Sequence, residues 1–218
     1  MKSVLSLLMV SVLLSCSISH ISSYEGNNYE VSDTSFATTD LDSIIFPYKL
    51  EMESKMDKVI GYSTYDLVKY EPESPLGDFV ADVVFDQVFS HIDSSVLSVQ
   101  NTMCLLNFGG LRAPINKGDI TIGNIYELMP FDNEIVIVKL NGNQVQQMLS
   151  YIREKNGQPV ANVLIEFSSL HNYLRVGGRS YTNDQDLYII TSDYLAKGGD
   201  KMTFFKESKE GAYPSLIP

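Results

Sequence analysis

The chain has 218 residues, 44% of them hydrophobic, and a formal net charge of −11. That length suits one domain of ordinary size plus an export segment and a short tether, and the apolar content excludes global disorder. The acidic balance argues against a nucleic-acid polymer as partner, because phosphate backbones are gripped by clustered Lys and Arg; a small phosphorylated ligand needs only one or two placed cations.

In chain order, residues 1–15 read as a signal peptide: Met1-Lys2 supplies a positive charge and residues 4–14 form an apolar run interrupted by serines, too short to span a bilayer. The run ends in Leu13-Leu14-Ser15-Cys16, which resembles the lipobox of bacterial lipoproteins. Cys16 is therefore expected to carry lipid, with ordinary secretory cleavage as the alternative. The protein is expected to be exported and anchored in the bacterial envelope. Ser17 lacks an acidic side chain, which points to the outer membrane, at its periplasmic face or the cell surface. With Cys16 lipidated, Cys104 has no disulfide partner; its apolar neighbours Met103, Leu105 and Leu106 predict a buried, inert thiol.

Residues 16–42 are rich in Ser, Thr, Asn and Asp without an apolar period and read as a flexible tether. Residues 43–218 read as one domain. Leu76, Phe79, Val80, Val83, Val84 and Val88 recur at three- and four-residue steps, predicting an amphipathic helix over 75–90. A buried strand over 103–107 runs into Gly109-Gly110. Ile120-Thr121-Ile122 precedes a short helix to about residue 129. A β-branched strand over 134–140 ends in Asn141-Gly142, a turn signal. Val145, Met148, Leu149 and Ile152 mark a second helix, and 163–167, 187–191 and 202–205 read as further strands. The mixture lacks regular βαβ alternation, which favours α+β or a layered sandwich over a doubly wound sheet.

The sequence offers no self-sufficient catalytic constellation. Its three histidines, His20, His91 and His171, stand in none of the settings a two-metal phosphoesterase needs, and there is no Gly-x-Ser-x-Gly elbow, P-loop or dinucleotide fingerprint. Three segments suit binding instead. Asn107-Phe108-Gly109-Gly110-Leu111-Arg112 sets an amide and a guanidinium around two glycines that permit tight turning and close ligand approach. Met129-Pro130-Phe131-Asp132-Asn133 can hold a ring at a loop tip. Ser192-Asp193-Tyr194-Leu195-Ala196-Lys197-Gly198-Gly199-Asp200 follows a strand with an aromatic, a diglycine and a carboxylate. Each alone also fits an ordinary structural turn.

Together they resemble the C-terminal, substrate-recognition domain of the 5′-nucleotidases and UDP-sugar hydrolases, over residues 44–205. Asp57-Lys58-Val59-Ile60-Gly61, Glu73-Ser74-Pro75-Leu76-Gly77-Asp78, Gly118-Asp119-Ile120-Thr121 and Leu128-Met129-Pro130-Phe131 carry the same resemblance. It implies a layered α/β/β/α sandwich. It also implies a base held between Phe131 and Tyr194, with Asn107 bonding the base, Arg112 reaching ribose and phosphate, and Asp200 taking ribose hydroxyls. Gly109, Gly110, Gly198 and Gly199 would shape the cleft. Two departures stand out. No basic residue lies in 70–75, where a further Arg is usual, and Lys201 stands where a glycine is usual. The expected role is a nucleotide or nucleoside recognition subunit of a split phosphohydrolase. This chain would hold no cofactor, and a separate metallophosphatase chain would supply the divalent metals. The alternatives are a non-catalytic nucleotide-binding envelope lipoprotein for capture or sensing, and an envelope interaction module.

Overall fold

The computed structural model describes residues 39–92, 97–169 and 172–206, so Cys16, His20, His171 and most of the tether lie outside the described residues. The chain divides into units 1–45 and 46–218. Helix α1 (Thr39–Met56) begins within the stretch read as tether, and its residues from 42 to 55 are exposed.

The centre of the second unit is a four-stranded sheet. Its strands, in chain order, are β2 (Thr102–Leu105), β4 (Ile135–Leu140), β5 (Val160–Ala161) and β9 (Leu187–Ser192), and their spatial order is β4-β9-β2-β5. β1 (Val59–Ser63) pairs separately with β3 (Gly118–Thr121), which leads into the short helix α3 (Ile122–Leu128). β6 (Val163–Phe167), β7 (Asn172–Val176) and β8 (Arg179–Ser180) form a third, small sheet.

Each face of the central sheet owns a core. Helix α2 (Pro75–His91) covers one, through Leu76, Val80, Ala81, Phe85 and Val88, packed with Cys104, Leu106, Ile137 and Ile190. The helix starts where the sequence predicts. Ser74 caps it by accepting from the Gly77 amide at 3.2 Å, and Pro75 occupies the first turn, where its missing N–H leaves nothing unsatisfied. On the other face, Val145, Met148, Leu149 and Ile152 of helix α4 (Gly142–Glu154) join Met103, Leu105, Leu187, Ile189, Leu174 and Val176. Each such aliphatic side chain contributes about 1.5–3 kcal/mol when fully buried. Cys104 is buried and free, and burial pushes its thiol pKa far up, so the thiolate is not accessible.

Two local expectations give way. Asn141-Gly142, read as a turn signal, ends the strand but opens a helix rather than a free turn. Asn141 caps α4, accepting from the Gln144 amide at 3.1 Å while the Gln144 side chain returns the bond to the Asn141 amide at 3.1 Å. Residues 202–205 do not extend. They turn as a 3₁₀ segment over Thr203–Phe205 that buries Phe204 and Phe205 in the second core, so apolar packing rather than strand pairing explains that run.

One edge of the sheet collects three chain segments. β2 and β9 are parallel neighbours, with Thr102 beside Tyr188 and Cys104 beside Ile190, so their C-terminal ends emerge at the same edge. β4 runs antiparallel to β9, with Ile135 opposite Ser192, so the segment entering β4 arrives at that edge too.

Candidate functional site

The three binding segments found in the sequence are the three segments at this edge. Asn107 follows β2 and precedes a 3₁₀ turn over Phe108–Gly110. Its side chain does not cap that turn; its Nδ2 donates to Asp200 Oδ2 instead. Both glycines of the turn have ordinary backbone angles, so their need for glycine is steric. A Cβ on Gly110 would lie 2.9 Å from Asn107 Oδ1, and one on Gly109 would lie 3.0 Å from Asp200 Oδ2 and 3.1 Å from Asn107 Nδ2. The diglycine makes room for an amide–carboxylate pair. The tight turn expected from the sequence is present as a 3₁₀ segment, and it needs no left-handed backbone angle at either glycine.

The third segment closes the network. Ser192 ends β9 and caps the short helix α5 (Asp193–Ala196), accepting from the Leu195 amide at 3.2 Å. This places Tyr194 facing back toward the following turn. Its hydroxyl donates to Asp200 Oδ1 at 3.2 Å and accepts from the Asp200 amide at 3.3 Å. The ring lies so close over Gly199 that a Cβ there would collide with it. Gly198 has φ +88°, a left-handed angle that favours glycine. Asp200 and Lys201 adopt left-handed angles as well, +48° and +66°, without being glycine. The position where the resemblance expects glycine thus has the backbone of one. Lys201 itself lines a cavity of about 420 Å³ with Gln146, Tyr151 and Glu154 of α4, among others, rather than one shared with Asn107.

The second segment supplies the other ring. Phe131 is 49% exposed and Tyr194 47%, so neither is a core aromatic. The Arg112 guanidinium sits 5.9 Å from the centre of the Phe131 ring and its Nη1 reaches Gly109 O at 3.4 Å. Phe131 therefore meets the diglycine turn through Arg112, and Tyr194 meets it through Asp200.

Three residues that sequence reasoning missed support this arrangement. Tyr151, on α4, donates to Asp200 O at 2.9 Å; burial first, and then the Asp200 charge, raises its phenol pKa. Gln158 Oε1 accepts from the Phe108 amide at 3.0 Å. Lys69 Nζ donates to Phe108 O at 3.0 Å and to Leu111 O at 2.8 Å, and so straddles the diglycine turn. Lys69 lies one residue before the stretch 70–75, which lacks the usual Arg. Nothing in its local sequence marks it, because the contact spans about forty residues.

Residues 59–207 match the family model of the 5′-nucleotidase C-terminal domain. The chain belongs to that family. It is 28% identical over 186 residues to the trifunctional nucleotide phosphoesterase protein YfkN of Bacillus subtilis, covering 75% of this chain and 12% of that protein. It is 24% identical over 158 residues to the human 5′-nucleotidase, covering 62% of this chain and 27% of that one. Among solved structures, the 5′-nucleotidase precursor of Thermus thermophilus superposes with a TM-score of 0.63 at 23% identity, over 80% of this chain and 37% of that one. The chain thus spans about a tenth to a little over a third of these relatives. The mixed helix–sheet sandwich is that of the 5′-nucleotidase C-terminal domain, and the family is one of nucleotide-processing proteins.

Proposed function

We propose that this domain is the nucleotide or nucleoside recognition subunit of a split 5′-nucleotidase-type phosphohydrolase, holding base and ribose while a separate metallophosphatase chain supplies the metals. The observation that carries the reading is the convergence of three sequence-distant segments on one sheet edge, two of them tied together by Asn107, Asp200 and Tyr194 and the third meeting the first through Arg112 over Phe131. Phe131 and Tyr194 offer two half-exposed rings to a base, and stacking on such rings contributes about 1–3 kcal/mol per base. Asn107 holds the base edge. Each Asp200 oxygen already accepts one bond, yet a carboxylate offers about four lone-pair sites, so two remain for ribose hydroxyls. Arg112 reaches toward ribose and phosphate.

The domain's contribution would be positional, fixing the sugar so that the phosphate meets a metal-activated water elsewhere. Within this reading the divalent ions come with the partner chain. A lipid on Cys16 would keep the protein at the envelope.

Calorimetric titration of the protein with AMP, adenosine and a UDP-sugar tests the reading. Saturable binding that disappears in Phe131→Ala and Asp200→Ala is expected; no binding to any of the three would sink it. A pull-down from native membranes that recovers no metallophosphoesterase, together with intact binding, would leave a capture or sensing lipoprotein instead.

A further inference from the structure

The candidate nucleotide site lies where β2 and β9 end; a second cavity lies where they begin. Residues 98–101 lead into β2 and residues 185–186 into β9, and the two strands run parallel, so both approaches reach the edge opposite the candidate site. The length of β2 and its flanks separates the two edges by roughly 15–20 Å at the ordinary strand rise. These approaches and the β7–β8 hairpin enclose a cavity of about 450 Å³, within the size range of small-molecule sites. Its walls are fixed by hydrogen bonds and close packing. Asn162 Nδ2 donates to Val99 O and to Thr102 O, both at 2.7 Å. Gly177, left-handed at φ +55°, sits so close to the same segment that a Cβ there would lie 2.4 Å from Val99 O. The Tyr181 hydroxyl donates to Gln185 O at 2.8 Å, which ties the third wall to the hairpin.

Two groups in this lining are left unmatched. Asn101 Oδ1 is buried with no hydrogen-bond partner, and a buried acceptor left unmet is costly. Asp186 is held by Lys139 at 2.6 Å, so the Arg179 guanidinium has no ionic partner among the described residues. Tyr181 and Tyr188, both partly buried, add apolar ring surface with polar tips. A ligand that answers all of these donates to the Asn101 oxygen, offers a planar anion to the guanidinium fork and lays a compact apolar face near tyrosine. We propose that this cavity binds an acidic monosaccharide, a sugar bearing a carboxylate, with the carboxylate on Arg179 and a sugar hydroxyl on Asn101. A neutral sugar lacks the anion, and a simple carboxylic acid lacks the hydroxyl donors. Walls already fixed by the Asn162 and Gly177 contacts need little ordering when such a ligand arrives. The site stands apart from the nucleotide cleft and does not depend on that reading.

Ligand-observed NMR titration of the full chain with glucuronic acid, glucose and acetate tests the proposal, for the unaltered protein, Arg179→Gln and Asn101→Leu. Glucuronate is expected to bind saturably and about tenfold more tightly than glucose, as a charge-assisted bond to the guanidinium implies. Arg179→Gln should erase that difference. Asn101→Leu should weaken both sugars about threefold or more without lowering Tm, because it removes an acceptor that has no partner in the free protein. AMP should not displace glucuronate. Acetate binding as tightly as glucuronate would overturn the saccharide assignment, and so would the absence of saturable binding by either sugar. Glucuronate binding that survives Arg179→Gln unchanged would overturn the role of the cation. Competition by AMP would put the sugar in the nucleotide cleft and sink the second site.

Discussion

The Asn107 side-chain amide donates to the Asp200 carboxylate across 93 positions of sequence, and both glycines of the turn after β2 are shaped around that bond. Asp200 in turn holds the Tyr194 hydroxyl, so one carboxylate fixes an amide from one segment and an aromatic ring from another.

In the proposed reading Tyr194 has two separable duties, a ring for stacking and a hydroxyl for orienting. Tyr194→Phe keeps the ring and loses the hydroxyl's two bonds to Asp200, one to its carboxylate and one from its amide, so nucleoside affinity should fall by about fivefold, the effect of one to two modest hydrogen bonds. Tyr194→Ala should cost at least about tenfold, near the roughly 1–3 kcal/mol that a stacking ring supplies. Titration calorimetry distinguishes the two; equal losses would mean that the ring does not stack.

Gly110→Ala tests the steric account of the diglycine. The new Cβ would lie 2.9 Å from an Asn107 oxygen whose side chain is anchored on Asp200, so the pair must yield. A destabilisation of about 1–3 kcal/mol, the usual range for overpacking, is expected in denaturant unfolding, with loss of ligand binding. Gly61→Ala is the control, since its Cβ would meet nothing nearer than 3.8 Å.

Lys201 is left-handed at φ +66° with no sequence reason to be so. Such an angle costs about 1–2 kcal/mol for a residue with a Cβ, while glycine loses about 0.5–1 kcal/mol of chain entropy. Lys201→Gly should therefore stabilise the domain by about 0.5–1 kcal/mol, read as a rise in Tm. A fall in Tm would show that the Lys201 side chain contributes more through its contacts along α4 than its backbone loses.

Asp78, Asp82 and Asp86 stand four apart on α2, one above another. Burial first, and then the Asp86 charge, raises the Asp82 carboxyl above its ordinary 3.8. A raised carboxyl favours the protonated folded state, so its stabilising contribution is fully present below 3.8 and is lost as pH rises through the folded value. Asp82→Asn should therefore be more stable than the unaltered protein at pH 7, by about 0.4–1 kcal/mol for two like-charge pairs relieved. The advantage should shrink below about pH 4, as thermal unfolding across roughly pH 3–8 would show.

The sequence alone determined whatever is written in short-range pattern. The Ser74-Pro75 start of α2, the core-facing aliphatic residues beneath it and the strands at 163–167 and 187–191 are legible, because helix period, strand composition and capping chemistry act over a few residues. Asn141-Gly142 misled because the same dipeptide serves a turn and a helix cap, and Gln144 decides between them. Residues 202–205 misled because an apolar run reads alike whether it pairs in a sheet or plugs a core. Only the tertiary structure decided that the three candidate segments meet. The parallel pairing of β2 with β9 brings residues 107–112 and 194–200 to one edge, and the antiparallel entry of β4 adds Phe131. Tyr151 and Lys69 were invisible for the same reason. Their hydrogen bonds span some forty to fifty positions, and a contact between distant segments leaves no periodicity in either of them.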